Sequence, residues 1–287
     1  MKRKPLISNN IEVFYNRASE ETRLDKGMGI FEFERVKFLI DKYIPFPSST
    51  ILDIGGGTGK YSEWLANKGH QVHLIEPLPK HLKIAQNRAE KLKNRFSVHS
   101  GTSQNLDFPN DFADLIILHG PLYHLQKKKD RELAVKEAKR VLKKEGIILG
   151  FAINYTASTL AGLLNGLIHK ETFFEMCKKE LTIGMHHPPD DYPWLLAEAY
   201  YHKPEELRNE FEKQGLTYLN MYAVEGMIWL DKDYFASMSD DKKKSTLIEL
   251  LHITQNDQDL LPFSPHMMIA VKKKNNLWKI KTGTSKH

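Results

Sequence analysis

The residue types most able to bind a ligand follow short apolar segments in this chain of 287 residues. Asp53 lies in the segment "ILDI", which the glycine-rich turn "GGGTG" follows, and Glu76 ends the next apolar segment, "QVHLIE". Glycine lets backbone N–H groups close on a ligand, and an ionised carboxylate accepts hydrogen bonds. A strand, a glycine-rich turn and a helix N-terminus in this order are typical of a nucleotide-cofactor site at the carboxyl edge of a sheet.

The glycine spacing leaves two alternatives open. Gly55, Gly57 and Gly59 form G-x-G-x-G, which is tighter than the G-x-G-x-x-G turn that seats a pyrophosphate on a helix end. A dinucleotide site, as in an NAD-dependent dehydrogenase, is therefore one alternative. A turn with a purely structural role is the other.

A second group of candidates is rich in histidine and tyrosine. His119, Tyr123 and His124 lie in "LHGPLYHL", directly after an apolar segment, and His186 and His187 lie in "MHHPP". Histidine is suited to general base catalysis because its pKa is close to neutrality. Adjacent histidines in a proline-bounded loop lack the i, i+4 spacing that brings two ligands to one ion, so we predict no metal site.

The elements that must position these residues alternate between strands and helices. Seven strands are predicted, in "ILDI", "QVHLIE", "FSVHS", "ADLIILHG", "GIILGFAI", "LTYLNMYAV" and "HMMIAVKKK". Helices of about ten or more residues between strands indicate parallel pairing through crossovers, so the predicted fold is doubly wound α/β. The alternation breaks after Ile153, which predicts a helical insertion that acts as a lid.

Two long segments carry a resemblance to a known family. "ILDIGGGTGKYSEWLANKGHQVHLIEP" resembles the glycine-rich first motif and acidic second motif of class I S-adenosylmethionine-dependent methyltransferases. "VHSGTSQNLDFPNDFADLIILHGPLYHL" is similar to the third and fourth motifs of the same family. The likeness runs from about Thr50 to Phe151, and the later strands fit the rest of that Rossmann-like, mostly parallel seven-stranded fold. One departure is Thr102 after Gly101, where many members have an acidic residue for the adenine amino group.

Five segments are expected from the resemblance and the element pattern. Residues 1–45 are an N-terminal helical cap, residues 46–153 the cofactor-binding core, and residues 154–201 the helical lid insertion. Residues 202–274 are the remainder of the core, and residues 275–287 are a flexible basic tail.

The resemblance implies S-adenosyl-L-methionine as the cofactor and S-adenosyl-L-homocysteine as its product. In the family the glycine turn contacts the methionine moiety, the acidic residue that Glu76 matches holds both ribose hydroxyls, and residues after the third strand contact the adenine. The predicted cofactor-binding residues are Asp53, Gly55, Gly56, Gly57, Gly59, Glu76, Pro77, Gly101, Thr102, Ser103, His119, Gly120 and Tyr15.

The implied reaction is methyl transfer to an O, N or C atom of a small molecule. It is an in-line displacement with a good leaving group, so positioning and the exclusion of water matter most. A general base helps when the acceptor is a phenol, a hydroxyl or a protonated amine. The predicted catalytic residues are His124, Tyr123 and His119. The predicted acceptor-binding residues are Tyr123, His186, His187, Tyr192, Trp194 and Tyr200.

Nucleic acid is a less favoured acceptor than a small molecule. "HGPLY" stands where methyltransferases of base amino groups carry [DNS]-P-P-[YFW], and no cysteine lies near the motifs to act as a thiolate nucleophile. The aromatic and apolar insertion suits a closed pocket. The formal net charge of +6 keeps one alternative open, an RNA-associated methyltransferase or a non-catalytic nucleic-acid-binding protein of this fold.

The remaining composition predicts a cytoplasmic protein, and we expect a monomer or a homodimer. Cys177 is the single cysteine, so no internal disulfide can form. We expect no membrane association, because no window approaches the roughly 18 apolar residues of a membrane span.

Overall fold

A computed structural model describes residues 6–274. The predicted basic tail, residues 275–287, lies outside the described residues. The strands are β1 (Thr50–Ile54), β2 (Gln71–Glu76), β3 (Ser97–Ser100), β4 (Ala113–Leu118), β5 (Leu142–Ile153), β6 (Met185–His186), β7 (Ala199–Tyr200), β8 (Thr217–Ala223) and β9 (His266–Lys272).

Twelve α-helices accompany these strands in the described part of the chain. They are α1 (Asn9–Arg17), α2 (Glu20–Arg23), α3 (Met28–Asp41), α4 (Lys60–Asn67), α5 (Pro79–Glu90), α6 (Pro121–His124), α7 (Lys128–Val141), α8 (Ala157–Leu164), α9 (Glu171–Ile183), α10 (Pro204–Glu212), α11 (Tyr234–Ser239) and α12 (Asp241–Thr254). Short 3₁₀ helices cover Leu167–His169, Ile228–Leu230 and Leu261–Phe263.

The main sheet has seven strands in the order β3-β2-β1-β4-β5-β9-β8. β9 is antiparallel to both of its neighbours, and the other pairs are parallel. The predicted doubly wound, mostly parallel sheet of seven strands is therefore confirmed. β6 and β7 form a separate two-stranded sheet that the sequence did not predict.

Apolar strands give the sheet a buried core on each face. Leu52, Ile116 and Ile148 belong to the core on one face, whereas Ile51, Leu115 and Leu149 belong to the core on the other. Neighbouring residues of a strand point to opposite faces, so a strand buried on both sides reads as a continuous apolar run. This explains why "ILDI" and "ADLIIL" lack polar alternation.

Local signals place the helices that flank the site. α5 and α10 begin at Pro79 and Pro204, whose missing N–H costs nothing in the first turn of a helix. α9 ends at Gly184, which has the left-handed conformation that glycine tolerates best. α8 and α9 follow β5, where the sequence predicted an insertion, while the lid role of residues 154–201 stays a prediction.

None of the helices between residues 6 and 274 combines the length and the apolar content that crossing a membrane requires.

Candidate functional site

The glycine-rich turn after β1 lies against the end of β4. Gly55 has φ +79°, its N–H donates to the Ile75 carbonyl at 2.8 Å, and a Cβ there would lie 2.5 Å from the His119 carbonyl oxygen. Gly57 has φ +56°, and a Cβ there would have no heavy atom within 4 Å. The turn therefore packs tightly at Gly55 and leaves open space above Gly57.

Asp53 lies beneath this turn and is fully buried. The Ser62 hydroxyl donates to Oδ2 at 2.6 Å, whereas Oδ1 has no hydrogen-bond partner within the described residues. Burial raises the pKa of the Asp53 carboxyl to about 6, and the Glu76 charge adds to the effect while the Ser62 bond opposes it.

Glu76, at the end of β2, is held by backbone donors. Gly57 N–H donates to Oε2 at 3.1 Å, and Leu78 N–H donates to Oε1 at 3.0 Å. His81 Nδ1 lies 3.6 Å from Oε1. The carboxylate is thus fixed beside the turn, and each oxygen keeps a lone pair for a ligand hydroxyl.

A cavity of about 500 Å³ opens above the turn. Most of the predicted cofactor and catalytic residues line it, namely Asp53, Gly55, Gly56, Gly57, Glu76, Pro77, Gly101, Thr102, Ser103, His119, Gly120, Tyr15, Tyr123 and His124. Gly59 does not line it. A Cβ at Gly59 would lie 2.9 Å from the Phe96 ring, so this glycine serves the start of α4 and not the cavity wall.

The cavity fits a nucleoside of the S-adenosylmethionine type. Its volume lies within the range of roughly 300–1,000 Å³ that is usual for small-molecule sites. Four buried polar atoms of its lining lack a partner within residues 6–274: Asp53 Oδ1, the Tyr61 hydroxyl, His81 Nε2 and His124 Nδ1. Buried polar atoms are rarely left unbonded, so these atoms indicate a ligand that carries several polar groups.

The N-terminal helix α1 forms one wall of this cavity. The Tyr15 hydroxyl lies 2.8 Å from His124 Nε2, which joins α1 to α6. Lys80 Nζ donates to the carbonyls of Tyr15, Asn16 and Ala18 at 2.9, 3.0 and 3.0 Å. These carbonyls belong to the C-terminal end of α1, where a cation is favourable.

His119 and His124 are uncharged imidazoles in this cavity. Burial lowers the pKa of each to about 4, and for His119 the nearby Glu32 carboxylate only partly offsets that effect. The His119 ring stacks on Phe151 with centroids 4.4 Å apart. Burial also raises the pKa of Tyr123, so its hydroxyl stays protonated. All three side chains can form hydrogen bonds with a ligand, but the two imidazoles are weak bases.

The structure places the predicted acceptor residues of the insertion away from this cavity. None of the following lines it: His186, His187, Tyr192, Trp194 and Tyr200. His186 is buried, with Nδ1 2.6 Å from Glu180 Oε1 and Nε2 2.9 Å from the Leu196 carbonyl. Both of its ring nitrogens are therefore occupied, and its role is structural. The Tyr200 hydroxyl donates to Glu206 at 2.6 Å beside a second cavity.

The other aromatic residues of the insertion have different surroundings. Tyr192 packs against Phe173 with ring centroids 5.5 Å apart, and Trp194 is 65% exposed. His187 Nδ1 lies 3.6 Å from Glu198, which does line the main cavity. The insertion thus reaches the cavity through Glu198, which the sequence did not single out.

The sequence patterns also did not predict the cationic residues of the cavity wall. Arg23, on α2, donates to Glu32 at 2.6 and 3.0 Å and to Glu20 at 2.8 Å. Lys60, at the start of α4, forms an ion pair with Asp25. The position of Lys60 directly after the glycine turn could have indicated a cavity residue. Arg23 lies far from the motifs in sequence, so no pattern indicated it.

Beyond Arg23 lies an ion-pair network at the same edge of the sheet. Potential metal-ligand atoms of Glu32, Glu225 and His266 lie within 4.8 Å of one another. The oxygens already accept hydrogen bonds, for Glu32 from Arg23 and for Glu225 from His266. Burial alone would raise the pKa of Glu32, but the Arg23 guanidinium lowers it to about 2. The cluster is therefore a network of paired charges.

Comparison with known proteins gives related sequences over part of the chain. Residues 52–150 match the family described as "Methyltransferase domain". Phosphoethanolamine N-methyltransferase 3 of Arabidopsis thaliana is 32% identical over 93 residues, which are 32% of this chain and 19% of the relative. Ubiquinone biosynthesis O-methyltransferase of Paramagnetospirillum magneticum is 31% identical over 117 residues, 41% of this chain and 45% of the relative. The match thus spans less than half the length of these relatives.

A solved structure shares the fold over most of the chain. An S-adenosylmethionine-dependent methyltransferase of Methanosarcina mazei has a TM-score of 0.57 and 19% identity, with 82% of this chain and 97% of that chain covered. Residues 52–150 thus match a methyltransferase domain, and the seven-stranded sheet has the fold of an S-adenosylmethionine-dependent methyltransferase.

Proposed function

We propose that the chain binds S-adenosylmethionine in the 500 Å³ cavity and transfers its methyl group to an O, N or C atom of a small molecule. One observation carries the proposal: the open glycine turn and the fixed Glu76 carboxylate border one cavity at the carboxyl edge of β1 and β2. Ligands of open α/β sheets bind at this edge.

Different residues of the cavity would contact different parts of the cofactor. Glu76 would accept from the ribose hydroxyls, and Gly101, Thr102 and Ser103, after β3, would border the adenine. The turn and His119, after β4, would surround the methionine end, where the bound cofactor supplies an electrophilic methyl group on a positively charged sulfur. α1 covers the cavity and would exclude water from the reacting atoms.

A small-molecule acceptor is supported by two features. Phosphoethanolamine N-methyltransferase 3, which matches part of this chain, is named for a small acceptor, and the cavity is large enough for little more than a nucleoside and a compact partner.

Isothermal titration calorimetry with S-adenosylhomocysteine tests the proposal. The wild-type protein should bind it, and Glu76→Gln should weaken binding by about tenfold or more, because a charged acceptor of two hydroxyl bonds is lost. Glu90→Gln, on the exposed end of α5, is the matched control and should bind as the wild type does. Binding of NAD in preference to S-adenosylhomocysteine, or equal affinity for wild type and Glu76→Gln, would contradict the assignment.

A further inference from the structure

The cavity above the glycine turn has a wall that belongs to neither the sheet nor the turn. Residues between 6 and 24, from the segment of α1 and α2, contribute this N-terminal wall. If the proposed function holds, the cofactor lies against the glycine turn, Glu76 and the residues that follow β3 and β4. Of the lining that then remains, the N-terminal wall contributes more residues than any other segment, so it is the main surface left for the acceptor.

α1 turns an apolar stripe towards the cavity. Ile7, Ile11 and Tyr15 recur at every fourth residue, and all three line the cavity. Residues four apart lie on the same side of a helix, so the spacing and the lining agree. Leu24, directly after α2, adds a further buried apolar side chain to the same wall.

Ile11 is the least well packed of the buried apolar residues in this wall. It is 6% exposed, yet within residues 6–274 it belongs to none of the five clusters of packed apolar residues that form the core. An apolar side chain beside an unfilled space lacks the van der Waals contacts that a packed neighbour supplies. A ligand with an apolar body would supply these contacts at Ile11.

The cations beside the N-terminal wall are already paired. Arg23 donates to Glu20 at 2.8 Å and to Glu32 at 2.6 and 3.0 Å, and Lys60 forms an ion pair with Asp25. Neither cation therefore offers an unpaired charge to an anionic acceptor. A cationic acceptor would be repelled by the positively charged sulfur of the bound cofactor. These charges favour an acceptor that is itself uncharged.

Other charged lining residues lie after α6 and carry both signs. They are Lys127, Asp130 and Glu198, and Gln126 Nε2 donates to Glu198 Oε2 at 3.2 Å. Because positive and negative side chains stand together there, this part of the lining does not select an acceptor of one charge.

Neutral polar groups border the same space. The Tyr123 hydroxyl lies 3.8 Å from the position of an ideal Cβ on Gly120, just after β4, and it has no hydrogen-bond partner in the described part of the chain. His124, bonded to Tyr15, is an uncharged imidazole. Such groups can bond a hydroxyl without requiring a charge on the ligand.

We infer that the methyl acceptor is an uncharged, largely apolar molecule with a hydroxyl group, either a phenol or an alcohol. Its apolar body packs on Ile11 and Leu24, and its hydroxyl lies towards Tyr123. The inference rests on the proposed function and adds the chemical class of the acceptor. Ile11 is then a residue that determines acceptor specificity and does not contribute to cofactor affinity.

Three probes with one ring system test the acceptor class. They are naphthol, naphthoate and naphthylmethylammonium, which are neutral, anionic and cationic at pH 7. The full-length protein is first saturated with sinefungin, a cofactor analogue that keeps a positive charge in place of the methylsulfonium. Fluorescence titration should show naphthol binding at least about tenfold more tightly than either charged probe, because a charge loses its hydration in an apolar site.

A matched pair of variants on α1 tests the role of Ile11. Ile11→Ser should weaken naphthol binding by about tenfold, because apolar surface against the ring is lost. Val13→Ser makes a similar change at an exposed position that does not line the cavity, and it should bind naphthol as the wild type does. Equal naphthol affinity in the two variants would overturn the inference.

Cofactor binding separates this inference from the proposed function. Both variants should bind S-adenosylhomocysteine with wild-type affinity, which also shows that they are folded. A loss of S-adenosylhomocysteine affinity in Ile11→Ser that matches its loss for naphthol would place Ile11 on the cofactor side and overturn the inference. If the wild type does not bind S-adenosylhomocysteine, the proposed function itself fails. If it binds S-adenosylhomocysteine but binds naphthol no better than the charged probes, only the acceptor class is overturned.

Discussion

Asp53 and Glu76 stand at the ends of adjacent strands, yet their surroundings differ. Glu76 accepts from two backbone N–H groups, whereas Asp53 is fully buried and has one oxygen without a partner in residues 6–274. Desolvation without full compensation disfavours the charged form. Asp53 is therefore a residue whose ionisation costs stability.

The pKa of Asp53 gives a prediction for the pH dependence of stability. Its native pKa of about 6 lies above the ordinary value of 3.8, so the native state holds this proton more tightly than the unfolded state. The stabilising contribution is complete below about pH 4 and is lost as pH rises through about 6, by roughly 3 kcal/mol in total. Asp53→Asn should remove this loss, so its Tm relative to wild type should rise between pH 4.5 and 7.5 in thermal unfolding of the unliganded protein.

The exposed Asp191 provides the control for this experiment. Asp191→Asn should give a Tm difference from wild type that stays constant with pH. Parallel pH curves for Asp53→Asn and wild type would show that Asp53 ionises without cost.

Among the elements, α1 depends on side-chain contacts for its place over the cavity. Apart from Ile11, its residues are half-buried or exposed, so apolar packing holds it weakly. Lys80 donates to three carbonyls near its C-terminal end, and Tyr15 bonds His124. A helix fastened in this way can open for ligand exchange without disturbing the core.

Lys80→Met should therefore loosen α1 and speed the release of ligand. We expect faster amide hydrogen exchange in residues 9–17 and an S-adenosylhomocysteine dissociation rate about tenfold higher, equivalent to about 1.4 kcal/mol of lost contacts. Hydrogen exchange and stopped-flow dissociation measure the two effects. Lys83→Met, at an exposed position of the same helix α5, should change neither. Unchanged exchange in Lys80→Met would show that α1 is held by other contacts.

The cofactor side of the site could be predicted from the sequence because its signals are local. The residues from Asp53 to Glu76 form one strand–turn–helix–strand unit, and glycine spacing with apolar runs specifies it. The contacts of the insertion could not be predicted in the same way. The sequence suggested His186 as an acceptor-binding residue, but its ring is fixed between Glu180 and the Leu196 carbonyl. Such contacts depend on how helices pack and leave no periodic signal.

At the scale of the whole molecule, the ion-pair network beyond Arg23 unites residues that are far apart in the chain. Glu32 lies on α3, Glu225 lies two residues after the end of β8, and His266 begins β9. No spacing rule links them, and only the antiparallel position of β9 between β5 and β8 brings them together. The sequence therefore predicted the sheet and the cofactor side but not this network.

The basic surface gives a prediction about polyanions. The runs Lys127–Lys129 and Lys242–Lys244 are exposed near the N-termini of α7 and α12, where the helix dipole adds positive potential. Binding to a 20-nucleotide single-stranded RNA should weaken by about tenfold or more between 50 and 200 mM NaCl, because it rests on counterion release. S-adenosylhomocysteine affinity should change by less than about twofold, since its contacts are buried. Fluorescence anisotropy and calorimetry measure the two, and tight RNA binding at 200 mM NaCl would favour the RNA-associated alternative.

The place of β9 in the sheet has a consequence for biosynthesis. His266–Lys272 lies between β5 and β8 in the sheet. β5 therefore lacks this neighbour while residues 154–265 are translated, and β8 lacks it while residues 224–265 are translated. The nascent polypeptide meanwhile exposes an unpaired apolar strand edge, which is a surface that chaperones shield. We expect the nucleoside-binding strands to assemble first and β8 to join the sheet only after β9 has been translated.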